Sequence, residues 1–254
     1  MPPVNSAFSL KVLTVNIHKG FSVFNRKFIL HELREAVRAV GADLVFLQEV
    51  QGTHSHHAER LADWPSEPHY EFLADTIWPT FAYGRNAIYP HWDHGNALLS
   101  KFPIAHYLNR DVSIGDTERR GMLHCVLHVP GRAQELHAVC VHLGLQRSHR
   151  DTQLESLCAI VDNEVPDGAP LIVAGDFNDW QRRAHDVLEE CAGMREVFVA
   201  AHGRAARTYP ARWPVLSLDR IYVRNATAHA PVLLPRRPWS HLSDHIPLAA
   251  EIRL

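Results

Sequence analysis

The chain has 254 residues, of which 46% are hydrophobic and 21% charged, so it carries enough apolar material for a sizeable core. The formal net charge of −2 excludes a general attraction to nucleic acid, although a local basic groove is compatible with it. No internal repeat or linker divides the sequence. We therefore expect one domain over residues 1–254, with its core starting at about residue 10.

The sequence favours a cytoplasmic protein. Residues 1–9 lack a basic segment followed by a long apolar core, and no apolar run approaches the roughly 18 residues that cross a bilayer. The four cysteines are widely spaced without a Cys-x-x-Cys pair, which indicates buried free thiols and a reducing compartment rather than a zinc or redox motif. They are Cys125, Cys140, Cys158 and Cys191.

Apolar periodicity predicts alternating strands and helices along the chain. Helices are predicted over 28–40, where Gly41 ends the helix, and over 154–165 and 184–191. Strands are predicted over 10–15, 43–47, 96–100, 104–108, 122–129, 135–142, 171–174, 218–223, 228–233 and 247–252. The Pro130-Gly131 turn should make residues 122–129 and 135–142 an antiparallel hairpin, and the aromatic stretch before residue 96 is predicted to be rich in loops.

Several of these predicted strands stop abruptly at or near a polar residue. These polar residues are Asn16, Glu49, His142, Asp176, Asp219 and Asp244. Strand ends on a rigid scaffold can direct side chains into one cleft, whereas helix caps and turns are the structural alternative for each position taken alone. As a set, they favour a functional site.

The segment Gly175-Asp176-Phe177-Asn178 is the most informative of these strand ends. A short apolar strand leads into it, and residues two apart in extended backbone point to the same side. Asp176 and Asn178 are therefore predicted to face a common cleft. Glu49, at the end of another buried strand, is the kind of oxygen ligand that suits Mg²⁺ or Mn²⁺.

The tripeptide Ser243-Asp244-His245 adds a histidine, which can exchange a proton near neutral pH. We expect Asp219 to orient this ring, because the adjacent Asp244 points elsewhere. A serine hydrolase is excluded as the rival chemistry, since the chain has no Gly-x-Ser-x-Gly segment. The cluster His54, His56 and His57 lies in a polar stretch without acidic or thiol partners and is expected to be ordinary surface.

Taken in order, these short motifs resemble the endonuclease/exonuclease/phosphatase (DNase-I-like) superfamily. The matching residues are Asn16 in Thr-Val-Asn-Ile, Glu49 in Leu-Gln-Glu, His142 in Val-His-Leu, Asp176 and Asn178 in Gly-Asp-Phe-Asn, Asp219 in Leu-Asp-Arg-Ile, and Asp244 and His245 in Ser-Asp-His. Further segments look closest to a bacterial branch of uncharacterised hydrolases. They are Asn-Ile-His-Lys-Gly from residue 16, Tyr-Gly-Arg-Asn from residue 83 and Gly-Asn-Ala-Leu-Leu-Ser from residue 95.

The resemblance implies an α/β (α+β) fold, a four-layer α/β/β/α sandwich of two mixed sheets with flanking helices. It also implies a hydrolase that cleaves a phosphodiester or phosphomonoester by in-line attack of water, with Mg²⁺ or Mn²⁺ as cofactor. Glu49 would be the principal metal ligand, and Asn16 and Asp244 would complete the site directly or through water.

The resemblance assigns the remaining motif residues to catalysis. Asp176 would orient the attacking water, and Asn178 and His142 would contact phosphate oxygens. His245, held by Asp219, would act as a base or as a cation, and which group deprotonates the water stays open.

Three further residues are candidates for substrate binding: His18, Asn96 and Arg120. His18 stands where some family nucleases have an acidic residue, which favours a single-metal site. It could otherwise contact substrate or pack at the cleft mouth. Arg120 could reach a phosphate bidentately, or form a solvated surface pair with Arg119.

The substrate is left open between nucleic acid and a phospholipid headgroup or other small phosphate ester. A nuclease would need a basic groove, for which the candidates are Lys19, Arg26, Lys27, Arg85, Lys101, Arg119, Arg147 and Arg150. A lipid or small-molecule enzyme could use an aromatic mouth formed by Trp78, Tyr83, Tyr89, Trp92 and Trp239, which could equally be packing residues. A non-catalytic binding module on the same fold is the third alternative. Oligomeric state cannot be read from the sequence.

Overall fold

Residues along the strands alternate between two apolar faces, and this alternation produces two sheets packed face to face. The computed structural model describes residues 8–22, 27–116 and 118–254. Each sheet has six strands of mixed direction, and helices cover both outer faces. The predicted four-layer α/β/β/α sandwich is confirmed.

The first sheet has the strand order β11-β12-β1-β2-β4-β3. Its strands are β1 (Ser9–Asn16), β2 (Leu44–His54), β3 (Thr80–Tyr89), β4 (Trp92–Ser100), β11 (Thr227–Leu233) and β12 (Leu248–Arg253). The second sheet has the order β5-β6-β7-β8-β10-β9. Its strands are β5 (Ile104–Asp111), β6 (Gly121–Leu127), β7 (Leu136–His142), β8 (Leu171–Asp176), β9 (Arg195–Glu196) and β10 (Asp219–Arg224).

The central core lies between the two sheets. On β1, Leu10 and Val12 point into it, while Leu13 and Val15 point to the outer layer. On β8, Ile172 faces the central core and its neighbours on the strand face the helices of the other outer layer. This period of two is what a strand buried on both faces requires.

The helices are α1 (Leu30–Val40), α2 (Ser55–Arg60), α3 (His69–Ala74), α4 (Arg147–Glu164), α5 (Arg183–Ala192), α6 (Val197–His202) and α7 (Arg236–Leu242), with a 3-10 turn at His18–Gly20. The outer layer on the first sheet takes apolar residues from α1, α3 and α7, and the layer on the second takes them from α4 and α5. Gly41 ends α1 at φ +68°, the left-handed conformation that glycine adopts without strain.

Most predicted elements are confirmed, and β6 and β7 form the predicted antiparallel pair. The predicted bounds are wrong by seven residues at two ends, because β2 continues to His54 and α4 begins at Arg147. The aromatic stretch before residue 96 is more regular than predicted, because it contains β3, α2 and α3. β3 lies at the edge of its sheet and is only partly buried, so it lacks the continuous apolar run that marked the central strands.

The prediction of four free thiols is wrong for one pair. Cys158 on α4 and Cys191 on α5 form a disulfide with Cα atoms 5.9 Å apart, because these two helices pack side by side on the second sheet. Cys125 and Cys140 are free and buried, as predicted. Only two of the four cysteines therefore still support the inference of a reducing compartment.

No helix among the described residues combines the length and apolar character that crossing a bilayer requires. The cytoplasmic location and the single domain over residues 1–254 stay predictions, and residues 1–7, on which the first partly rests, lie outside the described residues.

Candidate active site

The topology brings the predicted polar residues to one edge of the sandwich. β1 and β2 are parallel, as are β7 and β8, so their carboxyl ends meet at the same edge. β10 is antiparallel to β8 and begins there, with Asp219 opposite Asp176. Asp219 thus starts its strand, one residue later than the predicted strand began.

These residues surround a cleft of about 290 Å³ between the two sheets. Its lining comprises Asn16, Glu49, Arg120, His142, Leu145, Asp176, Asn178, Trp180, Tyr209, Leu216, Leu218, Asp244 and His245. Of the eleven predicted site residues, only His18, Asn96 and Asp219 are not on this surface. Asp219 lies directly behind it, in contact with His245.

Glu49 sits on a distortion of β2 rather than at its end. The register against β4 shifts between Leu47 and Val50, and Glu49 has φ +56°, an uncommon backbone conformation for a residue with a side chain. The bulge turns the carboxylate to the cleft, where Asn16 Nδ2 donates to Oε1 at 3.3 Å. Burial opposes ionisation of Glu49, but Lys19, with Nζ 3.9 Å from Oε2, and His18 lower its pKa overall.

Asp176 is the centre of the cluster and connects the two sheets. Its Oδ2 accepts from Asn16 Nδ2 at 3.3 Å and lies 3.6 Å from His142 Nε2 and 3.8 Å from His245 Nε2. Its Oδ1 accepts from the backbone N–H of Asn178 at 2.9 Å. Burial, opposed by His245 and reinforced by Asp219, raises the pKa of Asp176 to about 6.

His245 and Asp219 form a buried ion pair behind Asp176. His245 Nδ1 lies 2.8 Å from Asp219 Oδ2, and both residues are at most 5% exposed. Burial alone would lower the pKa of His245, but the Asp219 and Asp176 carboxylates outweigh it and raise the pKa to about 10. The ring is therefore an imidazolium at neutral pH.

His142, unlike His245, is neutral. Burial first, and then the nearby Arg120 guanidinium, hold its pKa well below the usual range, so its ring is neutral. Asn178 has φ +49°, and its side-chain Nδ2 donates to Leu143 O at 2.9 Å, which fixes the amide at the cleft wall. His142 and Asn178 thus present a neutral imidazole and an amide to the cleft, whereas His245 presents a positive charge.

The residues predicted to hold a metal fit a hard divalent cation. Asp244 lines the cleft, and its buried Oδ1 has no hydrogen-bond partner among the residues described. An unpaired buried carboxylate oxygen is costly unless a cation or water satisfies it. Together with the ionised Glu49 and the amide of Asn16, it supplies oxygen donors of the kind that Mg²⁺ and Mn²⁺ prefer.

A second grouping that could hold a metal joins Asp176, Asp219 and His245, whose ligating atoms lie within 4.8 Å of one another. A protonated imidazole has no lone pair for a metal. Because His245 keeps its proton beside Asp219, we interpret this grouping as a hydrogen-bonded acid–base cluster.

The three predicted substrate contacts separate in the structure. Arg120 lines the cleft, where its Nε donates to Leu143 O at 3.2 Å, while its neighbour Arg119 pairs with Asp116 on the surface. His18 Nδ1 is 3.1 Å from Phe21 O and its ring is not part of the cleft lining. Asn96 is fully buried, and its Nδ2 donates to Gly121 O at 2.8 Å, so it joins the two sheets below the cleft surface.

Sequence reasoning missed the apolar part of the cleft. Leu145, Trp180, Tyr209 and Leu216 lie in loops that follow or precede the motif strands, and each lines the cleft. Trp180 stacks on Arg150, with the guanidinium carbon 4.4 Å from the ring centroid. The only sequence signal was their nearness to motif residues, as with Trp180 two positions after Asn178.

The predicted basic groove is not assembled by its candidate residues. Arg26 lies outside the described residues. Six others lie within 4 Å of carboxylates: Lys19 at Glu49, Lys27 at Glu32, Arg85 at Asp93, Lys101 at Asp43, Arg119 at Asp116 and Arg147 at Asp151. Arg150 is buried, and its Nη1 donates to Gly144 O and Leu145 O.

The predicted aromatic mouth is wrong for its two most buried members. Trp78 is fully buried with Nε1 donating to Ala42 O, and Trp239 packs in the same outer core. Tyr83 donates to Asp93, and Tyr89 stacks on Trp92 with ring centroids 4.0 Å apart. His54 and His57, from the histidine cluster, stack on each other beside Trp92 in a separate cavity.

Known proteins share the sequence pattern and the fold of this chain. The chain is 58% identical to the uncharacterized protein YbhP of Escherichia coli K12 over 254 residues, which is all of both chains. An endonuclease/exonuclease/phosphatase from Beutenbergia cavernae superposes with a TM-score of 0.74 at 18% identity, covering 97% of this chain and 72% of that one. D. rerio TDP2 complexed with a single-strand DNA product superposes with a TM-score of 0.69 at 16% identity, covering 97% of this chain and 99% of that one.

The model of the endonuclease/exonuclease/phosphatase family matches residues 13–245, a range that includes every motif residue from Asn16 to His245. The bacterial branch expected from the sequence is represented by YbhP. The chain belongs to the endonuclease/exonuclease/phosphatase family.

Proposed function

We propose that this chain is a metal-dependent phosphoesterase that hydrolyses a phosphodiester or phosphomonoester by in-line attack of water. The observation that carries the proposal is the position of Asp176, whose Oδ2 faces Asn16, His142 and His245 at 3.3 to 3.8 Å in one cleft. Family membership supports a hydrolase acting on phosphate esters.

Glu49, Asn16 and Asp244 would hold a Mg²⁺ or Mn²⁺ ion. When bound, the ion would polarise the phosphoryl oxygen and stabilise the negative charge of the leaving oxygen. Glu49 would meet the ion as a carboxylate, because its pKa is lowered overall despite its burial.

Asp176 is the candidate for orienting and deprotonating the attacking water. Burial raises its pKa to about 6, which leaves it ionised at neutral pH but a stronger base than an exposed carboxylate. The backbone N–H of Asn178 fixes Oδ1, so Oδ2 is the oxygen directed to the water.

His245 acts in this proposal as a cation rather than a base. With Nδ1 held by Asp219, its second N–H points toward Asp176 and the cleft, where it can stabilise charge on the phosphoryl oxygens. The neutral His142, the Asn178 amide and Arg120 supply further donors around the same space.

The substrate that we favour is a phospholipid headgroup or another small phosphate ester. The candidate groove cations are paired or buried, which weakens the case for a polymer. A nuclease is the second candidate, because TDP2 was crystallised with a single-strand DNA product.

The test is hydrolysis of bis-p-nitrophenyl phosphate with Mg²⁺ or Mn²⁺, which EDTA should abolish. Asp176→Asn should lower kcat at least about 100-fold, because it removes a proton acceptor in the transition state. Asp167→Asn, at an exposed aspartate outside the cleft, is the matched control and should retain full turnover.

Turnover that persists in Asp176→Asn would contradict the assigned role of that carboxylate. Absence of metal-dependent hydrolysis of this ester and of a panel of DNA, RNA, phospholipids and sugar phosphates would favour the non-catalytic binding module. Activity on plasmid DNA alone would select the nuclease.

A further inference from the structure

One segment of the chain carries several exposed arginines and very little acidic charge. Residues 197–243 contain seven arginines and a single acidic residue, Asp219, in a protein whose net charge is −2. Two of the arginines, Arg220 and Arg224, hydrogen-bond to backbone carbonyls within the fold. The other five are exposed and form no ion pair with a described residue: Arg204, Arg207, Arg212, Arg236 and Arg237.

The same segment contains an exposed apolar loop. Trp213 is 63% exposed and Val215 is 61% exposed, and Leu216, beside them, lines the cleft. Neighbouring exposed apolar side chains rimmed by polar residues are typical of a surface that contacts a partner.

The backbone of this loop is held in place. Val215 and Leu216 both donate their backbone N–H to Tyr209 O, and Ala211 donates to Asp244 O at 2.7 Å. Arg236 from α7 donates to Arg212 O at 3.1 Å. The exposed side chains of Trp213 and Val215 therefore project from a fixed loop beside two arginines, and we call residues 207–216 with Arg236 and Arg237 the docking loop.

Two further exposed apolar side chains line the cleft from the neighbouring strands of the second sheet. Leu145 and Trp180 are exposed, line the cleft and come from the loops after β7 and β8. The cleft lining thus takes apolar residues from the loops next to β7, β8 and β10, and the last of these is the docking loop with its exposed arginines.

We propose that this face docks on the surface of an anionic phospholipid membrane. Proteins bind such surfaces by placing tryptophan and aliphatic side chains at the headgroup boundary and arginines at the level of the lipid phosphates. The catalytic cleft would then open directly onto the bilayer, in reach of ester bonds in lipid headgroups.

The aliphatic residues favour a membrane over nucleic acid. Leu145, Val215 and Leu216 have no ring on which a base can stack, and one face of Trp180 is already covered by Arg150. Pairing with a second copy of this chain is disfavoured, because a two-fold contact would bring like-charged arginines together.

The test is co-sedimentation with phosphatidylcholine vesicles that either contain or lack phosphatidylglycerol, at physiological ionic strength. The full-length protein should bind the anionic vesicles and not the neutral ones. Arg212→Ala and Arg236→Ala should each weaken binding about 5-fold, and Trp213→Ser with Val215→Ser should weaken it further.

The matched controls are Arg253→Ala, at the end of β12 far along the strand from the cleft, and Tyr107→Ser, an exposed aromatic on β5. Both should bind like the unmodified protein. Because Trp213 does not line the cleft, Trp213→Ser should hydrolyse soluble bis-p-nitrophenyl phosphate normally.

Three outcomes would overturn the docking proposal: no binding to anionic vesicles, binding unaffected by the docking-loop variants, or tighter binding of a single-stranded oligonucleotide that those variants abolish. Vesicle binding is measured without turnover, so its failure with ester hydrolysis intact removes only the docking proposal. Loss of hydrolysis with vesicle binding intact removes only the proposed function on which the choice of lipid substrate rests.

Discussion

At the scale of a residue, His245 is a buried imidazole that keeps its proton. Burial normally drives histidine to its neutral form, as it does for His142 across the same cleft. The difference is Asp219, whose Oδ2 lies 2.8 Å from Nδ1 and leaves the other nitrogen to face Asp176. Of two histidines within one cluster, His245 is thereby positively charged and His142 neutral.

Replacing Asp219 by Asn should therefore impair catalysis without unfolding the protein. The amide cannot stabilise the imidazolium, so kcat for bis-p-nitrophenyl phosphate should fall about 10²–10⁴-fold. Steady-state kinetics with a circular dichroism melt separates the two effects. Asp116→Asn, which removes an exposed carboxylate paired with Arg119, should leave kcat unchanged. Unchanged turnover in Asp219→Asn would show that the charge on His245 is dispensable.

At the scale of an element, α4 and α5 are joined covalently behind the cleft. The bond between Cys158 and Cys191 closes a loop across 33 residues that includes β8 and the Asp176–Asn178 turn. Leu154, Leu157 and Leu188 pack the same two helices onto the second sheet. The disulfide therefore restrains the unfolded chain around the part of the site that orients water.

We expect the double variant Cys158→Ser with Cys191→Ser to be less stable by roughly 3–4 kcal/mol, the loop-closure value for a bridge of this span. Urea unfolding measures the loss. A thiol titration of the denatured, non-reduced protein should count two free thiols, Cys125 and Cys140. Four free thiols in protein purified without reductant would contradict the pairing.

At the scale of the whole molecule, buried neutral histidines make the fold sensitive to acid. His69 is fully buried, neither of its ring nitrogens has a partner among the described residues, and burial lowers its pKa to about 3. The unfolded chain takes up this proton near pH 6.5, whereas the folded chain resists it. His69 therefore disfavours the folded state progressively as the pH falls below 6.5 toward 3.

His69→Leu should remove part of this acid sensitivity. At pH 5, protonation of His69 in the unfolded chain costs about 2 kcal/mol of stability relative to pH 7.5. The unfolding free energy should therefore fall less between pH 7.5 and pH 5 in His69→Leu than in the unmodified protein, by that amount. In His106→Leu, where the replaced histidine is exposed, the fall should be the same as in the unmodified protein. An equal fall in both variants would exclude His69 as a source of the pH dependence.

The family, the layered fold and nine of the residues at or directly behind the cleft could be predicted from the sequence alone. Those conclusions depend on local patterns: period-two apolar strands and short polar motifs such as Gly175–Asn178 and Ser243–His245, which can be read without knowing their neighbours. The edge strand β3 escaped detection because its partial burial breaks that pattern.

Which loops share the cleft and which charges remain unpaired follows from the three-dimensional packing instead. Trp180, Leu216 and Leu145 are far apart in sequence and line one opening because β7 and β8 end at the edge where the antiparallel β10 begins. Likewise Arg150 and Trp239 looked available in sequence, but the packing of α4 and α7 buries them. Contacts between distant segments depend on strand order and crossover connections, which no local pattern records.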